Sequence, residues 1–407
     1  MITALRVFLP FATAYLFAYL LRVVNAVAGE PIGKELGLSP AELGFLTSVY
    51  FFGFALCQLP FGVLMDRYGA RRVEAALLVV AALGCAMFVV ASDYAELVVG
   101  RILIGVGVSM CLMAPFTAYR RTFSAEAMPL IVGLHMVFGA LGSAIGGGPT
   151  EVLVEWLGWR GMFGVIAALV FVSAVLVFAV VPRSKEPTEK VPLRRLTREV
   201  GAIMTSGALW RIAPLAATSQ LGMLSVVTLW TGPWLRDVAG LSASTAALWL
   251  SLLSLGLVAG FLGYGFIAAR AERVGRGMHV LVLGSLAHGV VAVLLMVLPP
   301  AVGTPLWVPY TALGSVGVLA YAFATRQFPA EMAGRVNTAL NFIVFFTAFA
   351  GQWLFGVILE FFPGEDGGVT QLGFQVGLGA TVVALVLSYL PLLIPARAAR
   401  PAPVRAG

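Results

Sequence analysis

The chain has 407 residues, 60% of them hydrophobic and only 11% charged, with a formal net charge of +7. An ordinary soluble domain carries about 25% charged residues, so a soluble protein of this length lacks the charge to cover its surface. A polytopic membrane protein is the class that remains.

A bilayer core of about 30 Å takes about 20 apolar residues per helix, and twelve runs of that length follow in chain order. The first, 7–28, is longer than a signal-peptide core and no small-residue cleavage site precedes the second run, so a retained helix is expected. It holds Arg22 and Asn25 inside "FAYLLRVVNAV", where a charge is costly and marks a functional position. They are three residues apart, so a continuous helix puts both on one face. The second run, 44–64, leads into the loop "GVLMDRYGARR". The third, 74–92, reads as having nothing more polar than Cys85 and Ser92. The fourth, 97–118, carries Arg101 near one end, where it is expected to snorkel to the surface and to serve structure or gating. The fifth, 129–153, holds His135 and the small-residue stretch Gly139 to Pro149, which suits close helix packing. The sixth is 161–182.

Residues 183–208 are basic and contain proline, and they read as a linker between two halves, 1–182 and 209–407. The seventh run, 211–234, carries Thr218, Ser219, Gln220, Ser225, Thr228 and Thr231. The eighth and ninth are 243–268 and 279–298, and the tenth, 305–325, carries Tyr310, Thr311, Ser315 and Tyr321. The eleventh, 336–361, adds Asn341 and Gln352 just after Asn337, and the twelfth is 371–395. No Asp or Glu is expected deep in any span.

Basic residues orient the spans. With the N-terminus inside, inner segments hold 21 Lys and Arg and outer segments three. Both termini are therefore expected in the cytoplasm, in a plasma membrane of the bacterial inner type. The same asymmetry explains the net charge without nucleic acid. Cys57, Cys85 and Cys111 stand singly in apolar runs and form no CxxC pair.

The halves repeat each other. "RTFSAE", Arg121 to Glu126, returns as "RQFPAE", Arg326 to Glu331, at an offset of 205. "DRYG", Asp66 to Gly69, returns as "ERVG", Glu272 to Gly275, at 206. Both pairs follow equivalent runs, as in transporters built from repeats.

The loop Gly62 to Arg72 resembles the signature between helices 2 and 3 of the major facilitator superfamily, and "RILIGVGVS", Arg101 to Ser109, resembles its helix 4 pattern. The resemblance implies an all-α membrane protein, twelve transmembrane helices in two pseudo-symmetric six-helix bundles. It implies a secondary transporter with alternating access, no enzyme, and no cofactor or resident metal. Its partners would be a small-molecule substrate and the lipid bilayer, and a monomer is expected. Helices 1, 4, 7 and 10 would line a central cavity. The loop would act as a latch, with Gly62 and Gly69 shaping it, Asp66 facing the N-terminus of helix 11, and Arg67, Arg71 and Arg72 pairing with Asp66 or lipid headgroups. Asn337 would serve that closing interface. In the second half Glu272 keeps the acid but Ala268 replaces the glycine.

"YLLRVVNAV" resembles the helix 1 arginine stretch of organophosphate antiporters and anion/cation symporters of that superfamily, where the arginine binds a phosphate or carboxylate. A guanidinium suits both because its planar fork donates two parallel bonds. The partner arginine of those antiporters is missing between Arg211 and Arg236, which favours a monoanion, such as a monocarboxylate. Substrate contact is assigned to Arg22, Asn25, Gln220, Tyr310 and Asn341; the plainer alternative is a structural arginine bonded to carbonyls or amides. His135 is the proton-carrying group by its chemistry, or else a packed, hydrogen-bonded histidine. Efflux of an amphipathic drug or siderophore is the rival function. A remote rival is copper-like uptake through Met110, Cys111, Met113, His135 and Met136. No nucleophile triad, paired acids or nucleotide-binding GxxxxGK[ST] supports an enzyme or an ATP-driven pump.

Overall fold

The computed structural model describes residues 2–124, 127–182, 193–329, 332–364 and 368–393; side chains 2–4, 59–63, 66, 67, 129 and 193–197 lie outside the description. Eleven helices are long and apolar enough to cross a membrane, and the shorter apolar helix Leu130–Ile145 joins them. Span 1 is Leu5–Val23, span 2 Pro40–Gln58, span 3 Ala70–Val90 and span 4 Tyr94–Thr122. Gly148–Val180 holds two spans, because Gly158 takes a φ of +68° that reverses the chain. Span 5 is therefore Leu130–Ile145 continued by 148–157, and span 6 is 159–180. Spans 7 to 12 are Gly207–Val238, Ala243–Glu272, Gly277–Val297, Pro300–Thr325, Ala333–Glu360 and Gln371–Leu393. The twelve expected helices are all present.

Local signals set the helix starts. Ser39 Oγ accepts from the Glu42 amide while Glu42 accepts from the Ser39 amide, a reciprocal cap ahead of span 2. Asp93, Ser242 and Thr370 cap spans 4, 8 and 12 from one side only, each side chain accepting from an amide of the first turn. The described part of the linker is helical. Residues Leu193–Met204 form a helix with Val200 and Ile203 buried. Glu199 pairs at 2.5 Å with Arg335 at the start of span 11.

The glycines of span 4 are spacers. A Cβ on Gly105 would sit 2.1 Å from the Tyr50 carbonyl oxygen of span 2, and one on Gly107 would sit 2.3 Å from the Ala81 nitrogen of span 3. Any larger residue would push the spans apart.

Two faces are distinguishable: a terminal face, where span 1 begins and span 12 ends, and a distal face opposite. Among the described residues, polar links between the halves fall toward the distal face. Arg236 Nε meets Glu30 at 2.6 Å, the Ala41 amide donates to Glu360 at 3.2 Å, and the Gly148 amide donates to Ser251 Oγ at 2.9 Å. Burial works against the charge on Glu30, but hydrogen bonding from Lys34 and the charge of Arg236 outweigh it and hold the carboxyl below the usual glutamate range. A bond from Trp159 and another from Arg160 do the same for Glu35.

Candidate functional site

Arg22 stands at the end of the first helical segment, Ile2–Val23, where its side chain is 8% exposed. Its guanidinium lies 4.4 Å from the Tyr19 ring centroid, with Phe345 at 5.6 Å and Phe54 at 5.8 Å. Phe345 belongs to the second half, so this aromatic cage spans the interface between halves. Each such contact is worth about 0.5–2 kcal/mol. Arg22 Nε has no hydrogen-bond partner. Among the described residues, no carboxylate forms an ion pair with Arg22. A buried cation without a counter-ion is a place where an anion gains most.

The chain turns at Val24, and a second segment, Asn25–Leu36, continues from there. The turn separates Arg22 from Asn25. Asn25 Nδ2 donates to Thr47 Oγ1 of span 2 at 3.0 Å, while its Oδ1 is buried and unpartnered. Arg101 does not snorkel: it is fully buried, and its Nη1 donates to the Leu21 carbonyl at 2.8 Å. It therefore braces the backbone that carries Arg22, because a carbonyl near a helix break takes its bond from a side chain.

Span 4 breaks at Ser109–Leu112. Gln58 Nε2 of span 2 donates to the Ser109 carbonyl and His135 Nε2 of span 5 faces the Cys111 carbonyl, both at 3.2 Å. Since Nε2 faces a carbonyl it carries the hydrogen, so in the neutral ring Nδ1 accepts from Tyr119 at 3.1 Å. Both His135 nitrogens are thus engaged. One expectation fails here: Glu74 of span 3 is 0% exposed, so an acid does lie buried among the spans. Its position beside Arg71 and Arg72 gives it the look of a surface charge, and only the packing of spans 4 and 6 on span 3 buries it.

Span 7 is wound as a π-helix over Gly222–Trp230, a form that recurs at functional sites. Gln352 of span 11 secures it, donating to the Ser225 carbonyl at 3.1 Å and to Thr228 Oγ1 at 2.9 Å. Asn341 accepts from the Tyr321 hydroxyl. Tyr310 packs on His288, whose Nδ1 donates to the Tyr310 carbonyl at 3.0 Å, and the Tyr310 hydroxyl is buried without a partner. Gln220 Nε2 and Asn337 Oδ1 also lack partners.

At the terminal face, Gly62 lies within the span-2 helix and Gly69 ends it with a φ of +79°. The side chains of Asp66 and Arg67 lie outside the description. Arg71 Nη1 donates to the Val181 carbonyl at 3.1 Å, and Arg72 is exposed. Glu272 pairs with Arg326 at 2.8 Å, so the two repeated motifs of the second half meet each other.

The model of the Major Facilitator Superfamily matches residues 11–352. The chain belongs to that superfamily. It is a multi-pass membrane protein. A hexuronate transporter of Bacillus subtilis is 24% identical to this facilitator over 261 residues, 56% of this chain and 62% of that one. The human facilitated glucose transporter member 12 is 29% identical over 184 residues, 41% of this chain and 30% of that one. The facilitator chain thus spans less than two thirds of the length of these curated relatives. Among solved structures, a bacterial homologue of the human lysosomal transporter Spinster superposes with a TM-score of 0.74 at 18% identity, covering 96% of each chain.

The facilitator's central cavity of about 30 Å³ lies between spans 1, 5, 7, 8 and 10. A water needs about 10–15 Å³ by this measure, so the cavity as it stands has room for about two waters. Arg22 and Tyr19 line the cavity with Ser143, Thr228, Ser254 and Thr311. Asn25, Gln220, Tyr310 and Asn341 are not in its wall; they bridge or pack beside it. Ser254 and Ser143 were missing from the sequence reading because single serines in apolar spans carry no signal of where they face. Ser254 Oγ is buried and unpartnered.

Proposed function

We propose that this facilitator carries a small organic anion, a monocarboxylate such as a sugar acid, with Arg22 as its carboxylate-binding group. The observation that carries the reading is the buried guanidinium on the wall of the central cavity, with no carboxylate counter-ion among the described residues. The hydroxyls of Ser143, Ser254, Thr228 and Thr311 suit a hydroxylated body, and the similarity to a hexuronate transporter points the same way. The halves 1–182 and 209–407 rock about this site with 183–208 as their tether. The protein works as a monomer in a bacterial inner membrane, with both termini in the cytoplasm, in keeping with the basic terminal-face loops.

Proteoliposomes with labelled D-glucuronate, D-glucose and a lipophilic cation test this reading. Uptake of glucuronate but neither competitor is expected, and it should vanish in Arg22→Ala. A neutral sugar is the second reading, favoured by the glucose-transporter relative and the hydroxyl lining; glucose uptake that survives Arg22→Ala would establish it. Uptake or extrusion of the cation would favour drug efflux.

A further inference from the structure

Glu74 is unused by the transport site, yet its carboxyl is fully buried, and among the described residues no donor stronger than the Cys111 thiol meets its oxygens. A leucine would fill the same space without burying polar oxygens. Spans 4 and 6 pack against it. From span 4 the Cys111 thiol and the Tyr119 phenol face it. Span 6 offers no titratable side chain after Arg160. On its own span, Arg71 lies about one turn toward the terminal face, engaged with the Val181 carbonyl and the Phe178 ring. His135 stands behind Cys111.

The carboxyl is set beside the break in span 4. Spans 3 and 4 run antiparallel, and Gly107 touches Leu77 and Ala81. Cys111, one turn on, therefore lies opposite Glu74. At this point span 4 has left its helical bonds, and its free carbonyls are held by side chains of two other spans, Gln58 and His135. Such a break is where a span bends. A continuous stack leads from it to the transport site: His135 lies 4.3 Å from the Tyr15 ring, Tyr15 lies 4.9 Å from Tyr19, and Tyr19 lies under Arg22 at 4.4 Å.

We propose that Glu74 is the proton-binding group of this transporter, and that bending of span 4 at Ser109–Leu112 opens it to water on the terminal face. In this conformation a charged carboxylate would have only the weakly donating Cys111 thiol and no counter-ion among the described residues, whereas the neutral acid is tolerated; Glu74 holds its proton there. When the segment Met113–Thr122 swings off span 3, water reaches the carboxyl. The proton then passes from a carboxyl oxygen to that water, leaving a carboxylate one turn from Arg71. No electrons are exchanged, and reloading is the reverse. The inference rests on membership of a transporter family and not on the identity of the anion.

The test uses the full chain in lipid. Infrared difference spectra between acidic and alkaline buffer, without substrate, should show wild type losing a carboxylic-acid C=O band. Glu74→Gln should lack that band at an unchanged melting temperature, and Glu74→Asp should keep it at a shifted frequency. In proteoliposomes with labelled glucuronate as probe, wild type should accumulate the label under a proton gradient. The glutamine variant should exchange label at the wild-type rate but lose accumulation, down to equilibrium. An unchanged acid band in Glu74→Gln, or gradient-driven accumulation with wild-type pH dependence, overturns the proposal. If glucuronate enters with no variant, the anion reading fails, and the infrared band alone decides for or against Glu74. Should the glutamine variant not fold, absence of the shifted band in Glu74→Asp overturns it.

Discussion

Replacing Arg22 perturbs the substrate without undermining the fold. Among the described residues the buried guanidinium has no ion pair to lose, so Arg22→Ala removes a desolvated charge together with its packing on Tyr19, Phe54 and Phe345. The cation–π loss, about 0.5–2 kcal/mol per contact, is offset by relief of that burial, and the melting temperature should change little. Substrate loses more. Hydrogen bonds to charged groups contribute about 1.5–3 kcal/mol each, so a two-pronged carboxylate contact is worth about 3–6 kcal/mol. At about 1.4 kcal/mol per tenfold, affinity should fall at least about a hundredfold. Arg22→Lys keeps the charge but loses the fork, and should recover about one bond of the two, or roughly tenfold of that loss. Thermal-shift titration of the purified variants with glucuronate, with glucose as the uncharged control, measures both effects. Equal affinity in wild type and Arg22→Ala would refute the reasoning. So would a parallel collapse of stability in both variants, which would make Arg22 a structural brace.

Glu30→Gln should loosen the distal closure made with Arg236, raising the labelling of a cysteine placed in the central cavity by an impermeant thiol reagent from that side. In wild type the same closure is present at neutral pH and should be lost only as pH falls below the ordinary glutamate value of 4.5, because Lys34 and Arg236 hold the Glu30 carboxyl down; opening that begins near neutrality would contradict this. Asn341→Ala frees the Tyr321 hydroxyl beside the cavity and should weaken affinity several-fold, whereas Asn337→Ala should lower turnover with affinity kept. Equal stability losses with unchanged affinity would make both amides mere bridges. Asp66→Asn should slow transport and favour the conformation open at the terminal face while substrate still binds, as read by cysteine accessibility; full transport with unchanged labelling would leave Asp66 as a topology charge.

The twelve spans were legible because membrane thickness sets span length, and that needs no tertiary knowledge. Arg22 was legible for a similar reason: an arginine in hydrocarbon is costly wherever it points. The surroundings of Arg22 were not. Asn25 follows it at helical spacing, but the turn at Val24 breaks the periodicity that the argument needed. Glu74 begins an apolar run after two arginines, so its burial depends on neighbours distant in sequence. The π-helical winding of span 7 leaves no pattern of side chains, since it depends on where Gln352 reaches from another span. His288 sits in span 9, outside the set that the family resemblance implies as cavity-lining, yet it is buried against Tyr310.

The aromatic cage around Arg22 has a consequence for how substrates are sorted. A pocket built to satisfy a buried polar group rejects a molecule lacking the complementary charge far more strongly than it ranks molecules that have it, since a missing methylene costs much less than an orphaned ion. With Arg22 as the proposed carboxylate-binding group, discrimination would be steep in one chemical dimension and shallow in the others. Chain length, ring form and hydroxyl stereochemistry meet mostly apolar walls and a few small hydroxyls, where each difference is worth little. A change of preferred anion then needs only wall residues such as Leu250 or Val227 to vary. A change from acid to uncharged solute requires the arginine itself to go, and that single position would divide the physiological roles open to descendants of this chain.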